Sequence, residues 1–271
     1  MHLIGDSNAR RQYKANARAD IRTQFWLTIE TALFRLMPII LIVVLVHIGV
    51  QSIADEQITV RLYQYLGICT ATVFFIGSPI VFGAKHYFVA LARGEACSPS
   101  QVFTCFTSSK KYLTSLKLSL CIGVRSLGWL LLGDMLIIVF LFFLIGCTLD
   151  LSRVIYALGR LAFFELSAVA ILFILVKVRR YDGAYINMID MPDASVWQAV
   201  KACAPIFKGH NWELLVFDLS FILWQLASAI TFGIVGIYVT AYTEIAFVHY
   251  FDDLCGRKAE LTQPSMRDTE L

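Results

Sequence analysis

L-T-I-E-T-A-L-F-R-L-M-P-I-I-L-I-V-V-L-V-H-I-G-V, residues Leu27 to Val50, decides what kind of molecule this chain is. Its apolar residues come as one block and do not alternate with polar ones, as they would in a half-buried strand. A helix needs about 20 such residues to cross a hydrocarbon core about 30 Å thick. Similar blocks recur at Tyr63 to Leu91, Leu113 to Leu149, Tyr156 to Val176, Leu214 to Thr231 and Ile234 to Phe251. The expectation is an all-α polytopic transmembrane helical bundle of about six spans. The third block, of about 35 residues, would make a helix of roughly 52 Å at 1.5 Å per residue, so part of it protrudes or tilts. The last two blocks are separate spans because Thr231-Phe232-Gly233-Ile234-Val235-Gly236 offers glycines for a turn.

Composition agrees. Of 271 residues 58% are apolar and 16% charged, more hydrocarbon surface than a soluble core of this length hides. The net charge of +3 is too small for a nucleic-acid surface, and the basic residues do not gather on one helix. Met1 to Arg22 is polar and basic and runs straight into a full-length span, so no cleavable signal peptide is expected and the first span is its own insertion signal. The domain reading is an N-terminal cytoplasmic arm (1–26), one membrane domain (27–254) and a cytoplasmic tail (255–271). The seven cysteines at 69, 97, 105, 121, 147, 203 and 255 form no C-x-x-C pair and read as free thiols, with no metal or cofactor implied.

Lys and Arg set the orientation. The arm carries Arg10, Arg11, Lys14, Arg18 and Arg22. The second connection carries Arg93, Lys110 and Lys111, with Lys117 just beyond; the fourth carries Lys177, Arg179, Arg180, Lys201 and Lys208; and the tail carries Arg257, Lys258 and Arg267. The other side has only Arg61, Arg153 and Arg160. The positive-inside rule then places both termini in the cytoplasm of a cell-membrane protein, as an even span count requires.

Two of the cytoplasmic connections read as interfacial helices. In the first, Ser98-Pro99 is an N-cap with proline at the first helical position, and Val102, Phe103 and Phe106 are expected on one face. In the second, Asp193 to Lys208 puts Val196, Val200 and Phe207 on an apolar side with Trp197 at its edge, and Pro205 ends or kinks it. Their similar placement hints at a parallel repeat of about three spans.

The C-terminal third reads Y-D-G-A-Y-I-N-M-I-D-M-P-D-A-S-V-W-Q-A-V from Tyr181, then K-G-H-N-W-E-L-L-V-F-D-L-S-F-I-L-W, T-F-G-I and a closing Y-F-D-D-L. This string resembles the bacterial membrane family called domain of unknown function 975. Tyr181, Tyr185, Asp190, Pro192, Ser195, Ala199, Lys208, Gly209, Asp218, Leu219, Ser220, Phe221, Trp224, Gly233, Tyr242, Asp253 and Leu254 match its pattern. Gly83 to Phe106, with L-A-R-G-E and S-P-S-Q-V-F, is similar as well. Leu223 departs from the family's glycine and Ala241 from its proline, and the stretch from Gly133 to Val178 lacks the usual Pro-Gly. The resemblance implies a membrane location and nothing catalytic.

Charges inside a bilayer cost on the order of 2.5 to 3.5 kcal/mol each on insertion scales, so they point to function or to pairing. Counted along the helices, Lys85 and Asp218 lie roughly 9 to 12 Å below the cytoplasmic surface and are expected to pair. Glu244 lies a little deeper, and Asp134 at similar depth if its span starts near Ser126. Lys85, His86, Asp134, Asp218 and Glu244 are therefore the candidate lining of a cytoplasm-facing ligand-binding pocket, the alternative being pairs and caps that lock the bundle.

Gly77-Ser78-Pro79 with Gly83 should kink the second span, and Gly67 with Ala71 and Gly233 with Gly236 read as close-approach positions. Glu244 and His249, five apart, do not share a helix face, whereas His249 and Asp253 do and read as a hydrogen bond. No H-E-x-x-H, G-x-S-x-G or phosphate-cradling glycine loop is present. The leading reading is a non-enzymatic membrane module for assembly, regulation or lipid and small-molecule handling. A small transporter is the alternative and an intramembrane lipid-modifying enzyme the second. Expected partners are membrane lipids, a second copy or another membrane protein, and no nucleic acid.

Overall fold

The computed structural model describes the backbone of residues 7–51, 58–146, 174 and 176–256, with side chains for these apart from 48–63, 66, 130, 134 and 136–146. All described regular structure is helical. Five stretches are long and apolar enough to cross a membrane: Phe25–His47, Gly67–Ala92, Ser109–Gly133, Asn211–Ile230 and Ile234–Leu254. The sixth expected span, Tyr156 to Val176, lies outside the described residues except for Ile174 and Val176, as does Cys147; the other six cysteines carry free thiols.

Helix α1 (Ser7–Thr23) has a stripe of Tyr13, Ala17 and Ile21, each four residues on from the last, and all three are buried. Helix α2 (Phe25–Gln51) is the first span, and its Ile39, Ile40 and Val43 are all more than half exposed. Such a surface suits hydrocarbon and not water.

The second span is built from α3 (Ile58–Thr72), a π-helical turn (Val73–Gly77) and α4 (Ser78–Ala92). Pro79 explains the interruption the sequence leads one to expect. It has no amide to give to Phe75, four residues back. The Phe75 carbonyl instead accepts from the Tyr112 hydroxyl at 3.1 Å, and the Ser78 amide reaches five residues back to Val73, the π pattern. Gly77 faces Pro38 of α2, where an added Cβ would lie 3.4 Å from the proline ring.

A 3-10 helix (Pro99–Thr107) follows, where an α-helix with Val102, Phe103 and Phe106 on one face was expected. At three residues per turn the residues that align are Pro99, Val102 and Cys105, and these are the buried ones. Phe103 and Phe106 turn away, against Phe34 at 5.1 Å and Tyr112 at 5.8 Å between ring centroids. Gly83 permits this packing, since a Cβ there would sit 2.2 Å from the Val102 carbonyl oxygen.

Helix α5 (Ser109–Gly146) is the long third run. After a 3-10 turn (Arg180–Asp182) come α6 (Gly183–Asp190) and α7 (Val196–Ile206). Ser195 and Gln198 form a capping box at the start of α7, which buries Ala199, Val200 and Cys203 together with Phe207 just beyond it, while Trp197 stays exposed under Arg125. Helices α8 (Asn211–Leu219) and α9 (Ile222–Ile230) form one membrane-length segment broken at Ser220-Phe221. The turn to α10 (Ile234–Leu254) uses positive φ at Phe232 and Gly233, and Gly236 passes against Ser228, whose Oγ a Cβ would meet at 2.3 Å. Gly67, by contrast, has nothing within 4 Å of a built Cβ, so among the described residues it is no close-approach position.

Helix α10 is the axis of the bundle, packed against α1, α2, α4 and α9. One end of the bundle is capped by α1, the first 3-10 helix, α6 and α7. At that end Arg93 donates to both oxygens of Asp252, at 3.0 and 2.8 Å, and to Asp190 at 2.5 Å, tying α4, α6 and α10 together. Helix α1 is held by Tyr13 donating to Asp253, by His249 and Asp20 at 2.6 Å, and by Lys14 donating to the Ser220 carbonyl at 2.8 Å. His249 and Asp253 thus bond to α1 and not to each other.

Candidate functional site

Lys85 points from α4 into the middle of the bundle, where its ammonium is 2.5 Å from Glu244 Oε2 on α10 and 3.7 Å from Asp182. The other Glu244 oxygen lies 2.9 Å from the Arg35 guanidinium of α2, an ion pair without hydrogen-bond geometry, and 3.8 Å from that of Arg179. Arg179 closes the network with Asp182 and with Asp218 of α8, at 3.4 Å. Three cations and three carboxylates thus form one continuous, formally neutral cluster contributed by four helices, the helical turn 176–179 and the 3-10 turn after it. Phe247 and Tyr185 cover it, with Arg179 4.5 Å over the Phe247 ring and Lys85 5.6 Å over that of Tyr185.

The pairing differs from the Lys85–Asp218 couple expected from depth alone: Lys85 belongs to Glu244, and Asp218 to Arg179. Arg35, Arg179 and Asp182, absent from the expected lining, are central. Arg35 was legible as a charge inside the first span. Arg179 reads from sequence as a loop cation, but it is the last residue of the helical turn 176–179 and reaches inward.

Burial divides the cluster into an inner and an outer part. Lys85 is 3% exposed and Glu244 about as buried, while the side chains of Asp182 and Asp218 are 27% and 34% exposed. The outer part faces a cavity of about 520 Å³ lined by Arg179, Asp182, Asp218, Glu244, Gln225 and Thr243, with apolar walls from Leu215, Leu219 and Ile222. A second cavity of about 480 Å³ lies on the Arg35 side, with Ser78, Ser119, Tyr185 and Thr240. His86, next to Lys85 in sequence but about 100° around the helix, lines a third cavity of about 360 Å³ at the capped end. Asp134 lies on α5, and its side chain is outside the described ones. Among the described residues no group of three or more His, Cys, Asp or Glu is placed to hold a metal ion.

Other residues of the C-terminal pattern also have local reasons. Asp190 holds Arg93, Ser195 caps α7, the Ala199 carbonyl accepts from Asn187 at 3.2 Å, and Gly209 and Gly233 carry positive φ.

Membrane-length helices with lipid-compatible surfaces, packed around an internal ion network, define a polytopic helical membrane protein. The chain belongs to the family described as Protein of unknown function (DUF975), whose model matches residues 16–258. No curated protein and no solved structure matches it.

Proposed function

We propose that this protein is a non-enzymatic module of the cell membrane, both termini cytoplasmic, that holds a small organic cation or a lipid headgroup amine in the open cavity beside its ion cluster. One observation carries the reading: the charged groups on the wall of the 520 Å³ cavity are three carboxylates, Asp182, Asp218 and Glu244, and one guanidinium, Arg179. The cations that balance the cluster, Lys85 and Arg35, stand behind that wall. A cavity in low dielectric with an acidic wall favours an ammonium group, and its apolar sides suit the carbon skeleton attached to it.

The test is the melting temperature of the full-length protein in detergent, titrated with ethanolamine, choline and spermidine. At least one is expected to raise it, and Asp218→Asn is expected to weaken that effect about tenfold or more. No shift with any amine, or a shift that Asp218→Asn leaves unchanged, overturns the reading.

A second reading, that the cavity passes its ligand on, is favoured by the break at Ser220-Phe221, two residues after Asp218. Interrupted helices beside a polar site are a device of transporters. Uptake of the same amine into proteoliposomes separates the two readings.

A further inference from the structure

The third cavity has no part in the ion network, and its chemistry is of the opposite sign. We propose that it binds a phosphate group. It lies between α4, the first 3-10 helix, the start of α5 and the segment after α6. Lys110 and Lys111 bring two ammonium groups to its rim, and Thr114 adds a hydroxyl. Asp193 is the one carboxylate there; it sits 3.6 Å from Lys110, with both side chains more than four-fifths exposed, so water screens their attraction. Lys111 has no ion-pair partner among the described residues.

His86 adds an imidazole to the same wall. The start of α5 adds the same sign as the lysines, because its first amide bonded to a backbone carbonyl is that of Tyr112, to Ser108. Two point cations, an imidazole and a hydroxyl around about 360 Å³ suit an oxyanion with several acceptor oxygens better than a single carboxylate.

The cavity lies between the middle of α4, at Phe82 and His86, and the start of α5. An anionic phospholipid and a soluble phosphate ester share the chemistry, and the experiment separates them.

The full-length protein in neutral detergent is titrated with dioleoyl phosphatidylglycerol, with glycerol 3-phosphate and, as controls, with dioleoyl phosphatidylcholine and sodium chloride of matched ionic strength. Binding is read by native mass spectrometry and by melting temperature. Phosphatidylglycerol is expected to bind wild type. Lys110→Gln with Lys111→Gln, at exposed positions where folding is not at stake, is expected to weaken binding about tenfold or more without changing the ligand-free melting temperature. Lys201→Gln with Lys208→Gln, which removes the same charge elsewhere on the surface, should keep it. Binding of glycerol 3-phosphate as well supports the site and assigns it to a soluble ester. The proposal is overturned if neither phosphate compound binds, if phosphatidylcholine binds equally well, or if the two double variants lose binding alike.

Discussion

Glu244 is the residue on which the ion cluster turns, because among the described residues it alone meets Lys85, Arg35 and Arg179. A carboxylate as buried as this is tolerable only when it is paired, and removing one side of a buried pair costs about 3 to 5 kcal/mol because the other charge is left uncompensated. Glu244→Gln should therefore be the most damaging single change, since it strands cations on two helices. Lys85→Met should cost less, because Arg35 still answers Glu244. The double variant Lys85→Met, Glu244→Gln leaves two cations and two carboxylates, so its loss of stability in detergent should fall short of the summed single losses by about 0.5 to 3 kcal/mol. Additive losses would mean that the two groups are not energetically coupled. Counting residues from the helix ends put Lys85 and Asp218 at one depth and Glu244 a little deeper, and so paired Lys85 with Asp218 where the structure pairs it with Glu244. Depth comes from rise along the axis, whereas partners are chosen by rotation about it, and rotation depends on packing that one span's sequence does not contain.

At the scale of elements, the approach of the first 3-10 helix to α4 depends on a missing side chain. Gly83→Ala would place a Cβ 2.2 Å from the Val102 carbonyl oxygen, a backbone atom that cannot swing aside. The alanine gains up to about 1 kcal/mol of helix propensity, but overpacking costs typically about 1 to 3 kcal/mol, so the clash is expected to win. Gly67→Ala, with nothing among the described residues within 4 Å of its Cβ, should be close to neutral in the same thermal unfolding measurement. Equal effects at the two glycines would show that the 3-10 helix is not seated on α4. The kink near Pro79, the turn at Phe232-Gly233 and the apolar side of α7 were all legible, because each follows from one residue's covalent geometry or from a 3.6-residue period. The 3-10 helix was not, since P-S-Q-V-F-T-C-F-T fits either period and only the close backbone at Gly83 selects three residues per turn.

For the molecule as a whole, the capped end and the basic bias of the sequence coincide. Helix α1, the start of α5 and the stretch from Lys177 to Lys208 carry 13 of the 23 lysines and arginines, and α1 and α6 meet α10 at the end tied together by Arg93, Tyr13 and His249. If that end faces the cytoplasm, single cysteines introduced at Asp55 and Leu151, both outside the described residues, should react with a membrane-impermeant maleimide in intact cells. Cysteines at Ser109 and at Gln263, in the tail, should react only after permeabilisation. Interference from buried native thiols should be small: burial pushes Cys105 up to about 11 and Cys203 up to about 12, so at pH 7 both stay protonated, and the thiolate is the nucleophile. Exposure of Ser109 and Gln263 together from outside would invert the orientation while keeping an even number of crossings. Labelling of Gln263 from outside with Ser109 protected would require an odd number, and the six-span reading would fall with it.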